Sequence, residues 1–438
     1  MERYDVVVVG AGFAGLTAAR ELSLHGHSVL LLEARDRIGG RTWTTERLGR
    51  TLELGGTWVH WTQPHVWAEL SRYGLEIVAS PEPRRAYWWA QGERREGSPD
   101  ELLGLLDPGN QALLADARRW IPEPYRPLAN PGLAEVDDLT VRERIDALDL
   151  PAGERELLAA FWTLNFNGSI EEAAYTQALR WCSLATGSWP IMFEACATFK
   201  LRDGTRALAD AIAADGDAEL RLQSPVQRIA QDEQGALITL EGGETVAADA
   251  VVLTLPLHAL RKLDVELSAG KRAAIAAGQI GQGCKAWIRL RGHHEPFVAL
   301  GGADWPLTFL QVEYHEGGDT IAVGFGPDAG AIDLTDVAAV QTQVRRLVPG
   351  AEVVDGAAHD WVADPLAGET WPMQRAGALT RSLTELQRPE GRLVLAGSDY
   401  ANGWAGFIDG AIESGTGAAR TVMTMLARRG ALAGDPRG

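Results

Sequence analysis

The pattern of apolar and polar residues predicts that the chain opens with a strand, a helix and a second strand. Residues 6–9 form an unbroken β-branched run, which is typical of a strand buried on both faces of a parallel sheet. Residues 28–32 form a second apolar run, and Leu16, Ala19 and Leu22 recur between the two runs at helical spacing. The front of the chain therefore predicts a β-α-β unit.

A long block between residues 102 and 198 has helical spacing and no strand alternation. Two motifs in this block fit capping boxes that open helices, Thr140 with Glu143 and Ser169 with Glu172. We expect the block to form the helical wall of a second domain.

Strand-forming sequence surrounds and follows the helical block. Pro and Gly residues within 80–100 indicate a hairpin, and strand patterns return at 220–229, 236–240 and 250–255. An alternating strand begins at Lys285, between apolar neighbours. A lysine in such a setting is expected to be buried, and burial lowers the pKa of its ammonium group.

The composition is that of an ordinary soluble globular protein. The 438 residues suffice for two or three domains, with 46% hydrophobic and 23% charged residues. No apolar stretch reaches the roughly 20 residues that span a bilayer. The first strand begins almost at once, which leaves no room for a targeting peptide. We therefore predict a cytoplasmic protein with no membrane partner.

The formal net charge of −18 argues against a nucleic-acid partner, because phosphates require a basic surface. The charge suits cationic amines, but it is explained equally well by solubility. Cys182, Cys196 and Cys284 are widely spaced and form no Cys/His cluster, so we predict neither a disulfide framework nor a metal site.

Three glycines follow the first strand in the spacing of a dinucleotide-binding turn. Gly10 permits the tight turn, Gly12 allows the backbone to approach a pyrophosphate, and Gly15 allows the helix to pack closely on the strand. Glu33 ends the second strand, where a carboxylate can reach a ribose hydroxyl. Because strand, glycines, helix and acid all occur in register, we predict a dinucleotide site.

The following residues indicate which dinucleotide. Residues 33–41, EARDRIGGR, add a second glycine pair and several arginines that can approach a diphosphate from its other side. This segment resembles the N-terminus of the flavin-containing amine oxidases, the family of the monoamine and polyamine oxidases, and the resemblance implies FAD. The motifs over 55–58 and 397–413 extend it to nearly the full length. Besides the three glycines and Glu33, the implied cofactor-binding residues are Ala34, Arg35, Gly40, Arg41, Gly55, Gly56, Thr57, Trp58, Val226, Gly397, Ser398, Asp399, Gly406 and Ile408.

The same resemblance implies the catalytic residues. Lys285 matches the family lysine that holds a water against flavin N5. Trp371 and Phe407 match the two positions of an aromatic cage, whose rings face each other and align the amine. Thr370 stands where mitochondrial monoamine oxidases carry the cysteine bonded to the flavin, so FAD is expected to be held without a covalent bond.

Within the family, the chain most resembles the bacterial 6-hydroxynicotine oxidases and related cyclic or aryl amine oxidases. The likeness rests on residues 281–283, 361–365 and 397–399. It implies that Asn165 is a polar pocket residue, and that Phe309 replaces a tyrosine, which removes a hydrogen-bonding hydroxyl. Trp61 and Trp181 complete the predicted pocket for a flat, apolar amine. His60 is open to two interpretations, a catalytic base or a positioning residue.

These inferences predict an α/β protein with a discontinuous Rossmann-like FAD-binding domain and a substrate domain of mixed sheet and helices. The predicted activity is oxidation of an apolar, cyclic or aromatic amine to an imine, with O2 reduced to H2O2 and the imine hydrolysed. A flavin-dependent desaturase, a binding module and an L-amino acid or polyamine oxidase are the alternatives, and a homodimer is left open. The FAD-binding domain is predicted over 1–79, 204–285 and 391–428, the substrate domain over 80–203 and 286–390, and a flexible tail over 429–438.

Overall fold

Two large β-sheets, each assembled from separated segments of the chain, form the framework. The structure is a computed structural model that describes residues 1–433. The strands are β1 Glu2–Val9, β2 Val29–Leu32, β3 Thr44–Arg47, β4 Arg50–Glu53, β5 Ile77–Ala79, β6 Arg85–Ala90, β7 Glu93–Gly97, β8 Phe199–Leu201, β9 Glu219–Arg221, β10 Val226–Gln231, β11 Ala236–Leu240, β12 Thr245–Leu253, β13 Asp264–Val265, β14 Cys284–Leu290, β15 Phe297–Leu300, β16 Phe309–Glu316, β17 Asp319–Gly326, β18 Val353–Ala358 and β19 Leu393–Leu395. The α-helices are α1 Phe13–Leu24, α2 Pro64–Tyr73, α3 Pro99–Leu114, α4 Ala117–Trp120, α5 Ala134–Asp137, α6 Val141–Asp146, α7 Ala152–Phe166, α8 Tyr175–Leu184, α9 Trp189–Ala197, α10 Gly204–Ala214, α11 Leu257–Leu260, α12 Ala269–Ala277, α13 Val337–Leu347, α14 Ala378–Gln387 and α15 Ile408–Ala433.

The first sheet has parallel strands at its centre and contains the predicted β-α-β unit. Its strands run in the order β13-β10-β11-β12-β1-β2-β9, and β19 pairs with the second half of β12. β1 is parallel to both β2 and β12. Residues 6–9 are at most 4% exposed, because α1, α10 and α15 cover one face of the strand and α11, α12 and α14 contribute to the core on the other. The β-α-β prediction and the α/β fold class are confirmed.

Helix α15 lies directly against α1, and a glycine makes the close contact possible. A Cβ atom at Gly415 would stand 2.3 Å from the carbonyl oxygen of Ala14. The contact brings the first residues of the two helices, Phe13 and Ile408, to the wall of the same cavity.

The second sheet is largely antiparallel, in the order β18-β14-β17-β16-β15-β6-β7. The hairpin predicted within residues 80–100 is confirmed as β6 and β7. Apolar residues of α3, α7 and α8 pack on one face of the sheet, and those of α13 pack on the other. The helical block predicted for residues 102–198 is therefore the wall on one side of this sheet.

One of the two predicted capping boxes is present. Helix α6 begins where the Thr140 Oγ1 accepts from the Glu143 amide at 3.1 Å and the Glu143 carboxylate accepts from the Thr140 amide at 2.8 Å. The second prediction is wrong, because the Ser169 hydroxyl donates to Glu171 and no described helix opens there. Residues 173–174 are held in isolated β-bridges instead, so α8 starts later in the chain.

We propose the predicted domain division on the basis of the strand distribution. The strands of the first sheet come from 1–79, 204–285 and 391–428, and those of the second come from 80–203 and 286–390, except that β14 crosses the boundary at 285.

The C-terminal helix and the predicted tail overlap. Helix α15 includes residues 429–433, and residues 434–438 lie outside the described part of the chain. Among the helices of residues 1–433, none combines the length and the apolar character needed to cross a membrane.

Candidate active site

A cavity of about 370 Å³ borders both sheets and contains most of the predicted site residues. It begins at the carboxyl ends of β1 and β2, which is where parallel α/β sheets bind ligands. It ends at β14 and β17 of the second sheet. The predicted residues that line it are Gly10, Gly12, Glu33, Ala34, Arg35, Gly40, Arg41, Gly55, Gly56, Thr57, Trp58, Val226, Lys285, Trp371, Gly397, Ser398, Gly406, Phe407 and Ile408.

The turn after β1 has the geometry of a phosphate cradle. Gly10 has a φ of +102°, which favours glycine, and a Cβ at Gly15 would stand 1.8 Å from the Gly10 carbonyl oxygen. Gly15 therefore serves the contact between helix and turn, and it does not line the cavity. At Gly12 the nearest atom to an added Cβ is 3.8 Å away, at Gly40. No side chain caps the first turn of α1, so its amides are available to an anion.

Glu33 is fixed at the end of β2 by two backbone amides. Its carboxylate accepts from Ala11 N at 2.7 Å and from Arg35 N at 2.8 Å, and the residue is 7% exposed. Each carboxylate oxygen has a further lone pair, so the group can still accept from a ribose hydroxyl.

Arg41 ties three segments of the cavity wall together. Its guanidinium donates to Glu369 at 2.9 Å, to the Thr370 carbonyl at 3.0 Å and to Asp399 at 2.5 Å. Ser398 accepts from the same guanidinium, at 3.2 Å. Asp399 does not line the cavity itself, but it binds Arg41, which does. Arg41 thus holds the Thr370 carbonyl next to Trp371. Two arginines of the cluster predicted to approach a diphosphate, Arg35 and Arg41, are bound to carboxylates.

The two carboxylates on Arg41 differ in protonation. Burial raises the pKa of Glu369 to about 7, assisted by the neighbouring Asp399, although His258 and Arg41 oppose the rise. Burial also opposes ionisation of Asp399, but attraction to Arg41 outweighs it and keeps the pKa of Asp399 below its usual value. The Asp399–Arg41 contact is therefore the fully ionised one.

Lys285 lies on β14 with its side chain buried beside the cavity. The ammonium donates to the carbonyl oxygens of Glu53 at 2.9 Å and Gly55 at 2.8 Å, and to Thr57 Oγ1. Its Nζ is 5.0 Å from the ring centroid of Trp58. Burial lowers the pKa of Lys285 to about 7, so the amine can exchange a proton near neutral pH.

The two predicted cage residues contact each other. The ring centroids of Trp371 and Phe407 are 4.9 Å apart and the ring planes meet at 62°, so the rings form a corner and do not face each other across a slot. Trp181 supports both rings from behind by edge contacts, with centroids 5.6 Å from Trp371 and 5.4 Å from Phe407. We call these three residues the aromatic corner.

Four predicted pocket residues do not line the cavity. Trp181 is fully buried behind it, and the Asn165 amide donates within α7 to the Phe161 carbonyl at 2.7 Å. Trp61 is 46% exposed and packs on Phe199, because its neighbour His60 takes the buried position. Phe309 is buried on β16 and does not line the cavity. The missing tyrosine hydroxyl at this position therefore does not indicate which ring the cavity binds.

The sequence analysis missed three residues that line the cavity, Asn167, Phe325 and Cys196. Asn167 ends α7 in the left-handed region, with a φ of 47°, and its amide donates to Thr370 Oγ1 at 3.3 Å. Phe325 of β17 and Cys196 of α9 also line the cavity. Asn167 lies two residues after Asn165, the residue that the sequence analysis selected. Asn is favoured at a left-handed helix end, so its residue type could have indicated that α7 ends here.

His60 lies outside the cavity lining, with both ring nitrogens engaged by protein groups. It accepts from the Thr62 amide at Nδ1, at 3.2 Å, so its Nε2 carries the proton and donates to Glu194 at 2.8 Å. Both ring nitrogens are thus occupied away from the cavity. The acid partner lies on α9, far along the chain, and was not visible from the sequence.

The cavity fits a flavin dinucleotide. Open space over Gly12 and uncapped helix amides suit a pyrophosphate, and Glu33 suits a ribose. At the other end, two buried polar atoms have no protein partner, Asn167 Oδ1 and Trp371 Nε1. Unpaired buried polar atoms call for a partner from outside the chain, and a ring system with polar edges supplies one.

The fold and this cavity together define a dinucleotide-dependent oxidoreductase. Residues 13–423 match the family described as flavin containing amine oxidoreductase, and the chain belongs to that family. It is thus a flavin-dependent amine oxidase, and its cofactor is FAD. The assignments of FAD and of the family from sequence are confirmed.

The names of proteins similar to this chain are consistent with the family assignment. A pseudooxynicotine dehydrogenase of a Pseudomonas species is 38% identical over 421 residues, which cover 94% of this chain and 84% of the relative. The (S)-6-hydroxynicotine oxidase of Paenarthrobacter nicotinovorans is 32% identical, over 96% of this chain and 99% of the relative. A solved structure of a putrescine oxidase bound to putrescine matches with a TM-score of 0.83, covering 97% of this chain and 99% of that one at 23% identity, and it bears on the fold alone.

Proposed function

We propose that the protein oxidises an apolar amine carrying a flat ring, of the nicotine type, with FAD held without a covalent bond. The observation that carries the proposal is the aromatic corner at the same end of the cavity as Lys285. When bound, FAD would supply the oxidant for a hydride equivalent, two electrons and one proton, that leaves the carbon next to the amine nitrogen. The residues of the chain orient the amine, exclude water and hold the proton at Lys285.

Charge distribution favours this substrate class over the alternatives. Among the described residues that line the cavity, the one carboxylate is Glu33, which lies at the dinucleotide end. A second ammonium group of a polyamine would therefore find no anionic partner beside the aromatic corner. Arg41 is already paired with two carboxylates, so an amino acid carboxylate would have to compete for it. An uncharged amine fits better.

Aromatic faces select how the amine approaches. A neutral amine nitrogen has a lone pair that forms the C=N bond as hydride leaves the adjacent carbon, whereas an ammonium has no free lone pair. The rings of Trp371 and Phe407 meet as a corner, so we infer that the substrate packs into the open angle and does not pass between the rings. The nicotine-type ring supplies the apolar surface that this angle buries.

The absence of a covalent bond follows from the side chains near the ring site. Thr370 is an alcohol whose Oγ1 accepts from Asn167, and it cannot form a thioether. Cys196 also lines the cavity, but burial raises the pKa of its thiol to about 12, so the reactive thiolate is scarce.

The overall reaction balances with O2 as electron acceptor. The amine and O2 give an imine and H2O2. Water then converts the imine to a carbonyl group and an amine, which stay in one molecule when the oxidised C–N bond belongs to a ring. One relative is named a dehydrogenase and another an oxidase, so the acceptor is the part of the proposal that most needs measurement.

The test is an amine panel supplied to the FAD-loaded protein in air. We expect nicotine-type amines to give one H2O2 for each carbonyl product, and putrescine and L-amino acids to react far more slowly. A preference for putrescine or an amino acid would contradict the substrate class. Turnover that requires an added dye and yields no H2O2 would contradict O2 as the acceptor. A product with a new C=C bond and an unoxidised C–N bond would favour a desaturase.

A further inference from the structure

Lysine is rare in this chain, and most of the lysines are buried. Of the 41 Lys and Arg residues, four are lysines: Lys200, Lys262, Lys271 and Lys285. Lys200, Lys271 and Lys285 are at most 8% exposed. Lys271 binds carbonyl oxygens at the end of α14, which accounts for it. Lys200 has no such local explanation, and it lies close to the lysine of the active site.

Lys200 of β8 forms a buried ion pair with Glu313 of β16. The Glu313 carboxylate also accepts from the Ser80 hydroxyl at 2.9 Å and from the Gln311 amide at 2.9 Å. Lys200 is 5% exposed and Glu313 is 2% exposed. A pair this deeply buried costs desolvation energy that its mutual attraction does not reliably repay, so the pair calls for a reason beyond stability.

Two chains of contacts connect this ion pair to Lys285. On one side, Ser80 accepts from Trp58 Nε1 at 3.4 Å, and the Trp58 ring is 5.0 Å from Lys285 Nζ. On the other side, the Lys200 ammonium is 4.0 Å from the Tyr314 ring, and Tyr314 contacts Trp287 with ring centroids 5.7 Å apart.

The second chain of contacts also ends at the active-site lysine. The Trp287 ring is 5.0 Å from Lys285 Nζ. The intervening groups are aromatic rings, which screen charges far less than water does.

The charged groups that face Lys285 are Glu53 of β4, Glu313 of β16 and Lys200 of β8. Burial is the largest influence and lowers the pKa of Lys285, the two carboxylates raise it, and Lys200 lowers it further. On β14 itself, Arg289 is paired with Asp319 at the far end of the strand.

The neighbouring strands present no further charge at this level. The residue paired with Lys285 on β17 is Phe325, and Ala358 of β18 pairs with the adjacent Ala286. Glu53 carries the remaining charge, and its carboxylate accepts hydrogen bonds from Thr44 and Thr205. Among the described residues named above, the Lys200–Glu313 pair is therefore the source of charge beside Lys285 that contains both signs.

We infer that the Lys200–Glu313 pair positions a balanced charge next to Lys285 and thereby controls how readily the Lys285 amine takes up a proton. This inference rests on the role proposed for Lys285 at the active site. It makes Lys200 and Glu313 positioning residues, since neither lines the cavity. Trp58, which does line it, is the link between the pair and the cavity.

The inference predicts opposite effects for the two single substitutions. Glu313→Gln leaves the Lys200 charge unbalanced and disfavours a second ammonium nearby, so the pKa of Lys285 falls. Lys200→Met leaves the Glu313 charge unbalanced, so the pKa of Lys285 rises. The double substitution removes both charges and returns the pKa toward the wild-type value. An unbalanced charge at this range moves a pKa by about one pH unit.

The small number of lysines makes a direct measurement practical. We would label the FAD-loaded enzyme with [ε-¹³C]lysine and follow the four side-chain NMR signals with pH, after assigning each from the variant that lacks it. Glu313→Gln is expected to move the Lys285 titration about one pH unit lower, and the double variant to restore it. The pH profile of turnover should move in the same direction, which a purely structural role would not produce.

Two comparisons keep the test decisive. Glu69→Gln breaks the distant buried pair of Arg20 and Glu69 and should leave the Lys285 titration unchanged. If Glu313→Gln does not fold, Lys200→Met should still move the Lys285 titration to higher pH, and the double variant should return it toward the wild-type position. An unchanged Lys285 titration in folded variants would overturn the inference, even if Lys285 is essential. Loss of the catalytic role of Lys285 would instead show as normal turnover in Lys285→Met.

Discussion

The two ends of the cavity are built in different ways. At the dinucleotide end, the turn after β1, the start of α1 and Glu33 come from one continuous stretch, and backbone amides and open space do most of the work. At the reactive end, the side chains that line the cavity come from segments far apart in the chain, including Lys285, Trp371 and Phe407. The first end is therefore expected to decide whether FAD binds, and the second to decide how fast the amine is oxidised.

The largest expected effect is at the reactive end. Lys285→Met removes the buried amine that holds the proton, while the dinucleotide end is untouched. Turnover should fall by about a hundredfold or more, which is the range of a lost acid–base group. FAD content, measured from flavin absorbance after gel filtration, should stay at the wild-type level.

Lys271→Met is the matched control for Lys285→Met, because it also deletes a buried ammonium, far from the cavity. It should lower the melting temperature without changing turnover per bound FAD. Loss of FAD in Lys285→Met would contradict the division between the two ends.

The opposite end is tested by Gly12→Val. The free protein has room for the side chain, since an added Cβ would be 3.8 Å from its nearest neighbour. The side chain would instead occupy the space proposed for the pyrophosphate. Overpacking of this kind costs about 1–3 kcal/mol, so FAD should bind roughly tenfold to a hundredfold more weakly.

Titration of the apoprotein with FAD measures the effect of Gly12→Val, and turnover of the fully loaded fraction should be close to wild type. Gly104→Val, at another open glycine on α3, is the control and should bind FAD normally. Wild-type affinity in Gly12→Val would show that the cofactor does not approach this turn closely.

A smaller effect is expected for Trp371→Ala. The substitution removes one wall of the aromatic corner, and the amine loses its alignment, which costs rate even when binding persists. We expect kcat to fall about tenfold with FAD still bound, and Trp371→Phe to recover part of the loss. Steady-state kinetics with a nicotine-type amine provides the measurement, and Trp305→Ala, outside the cavity, provides the control.

The smallest effect on turnover is expected in α15, which begins at the cavity wall. Asp409 is fully buried, its Oδ1 accepts from the amides of His65 and Val66, and its Oδ2 has no partner. Burial raises the pKa of Asp409 to about 7. Between pH 4 and 7 the folded state therefore holds a proton that the unfolded chain has released, so this residue lowers stability as pH rises.

Asp409→Asn mimics the protonated form at every pH. It should change little at pH 4 and raise the free energy of unfolding by up to about 4 kcal/mol at pH 8, the linkage energy of this pKa shift, with turnover retained. Denaturant unfolding at the two pH values is the measurement. Equal effects at both values would mean that Asp409 does not titrate in this range.

The contrast between the two ends also explains what the sequence could predict. The glycine turn and Glu33 are local, so their spacing alone places them, and the structure has them at one end of the cavity. The apolar alternation around Lys285 predicted its strand and its burial, whereas the roles of Lys285, Trp371 and Phe407 were found through a family resemblance. The relative orientation of Trp371 and Phe407 depends on Trp181 behind them, which spacing does not encode.

The surroundings of His60, Trp61 and the cavity also depend on contacts between residues that are remote in sequence. Glu194 reaches His60 from α9, and Phe325 reaches the cavity from β17. Trp61 was expected in the pocket because it is aromatic and follows a cavity segment. In the fold His60 takes the inward position, and Trp61 packs outside on Phe199.

The most direct test of the account is anaerobic mixing of the FAD-loaded protein with one equivalent of a nicotine-type amine. The account predicts that the flavin absorbance at about 450 nm disappears on mixing and returns when air is admitted. The same mixing with Lys285→Met should give the change far more slowly. If the absorbance persists with every amine tried but is lost on adding a chemical reductant, the cavity holds FAD and does not oxidise amines of this class.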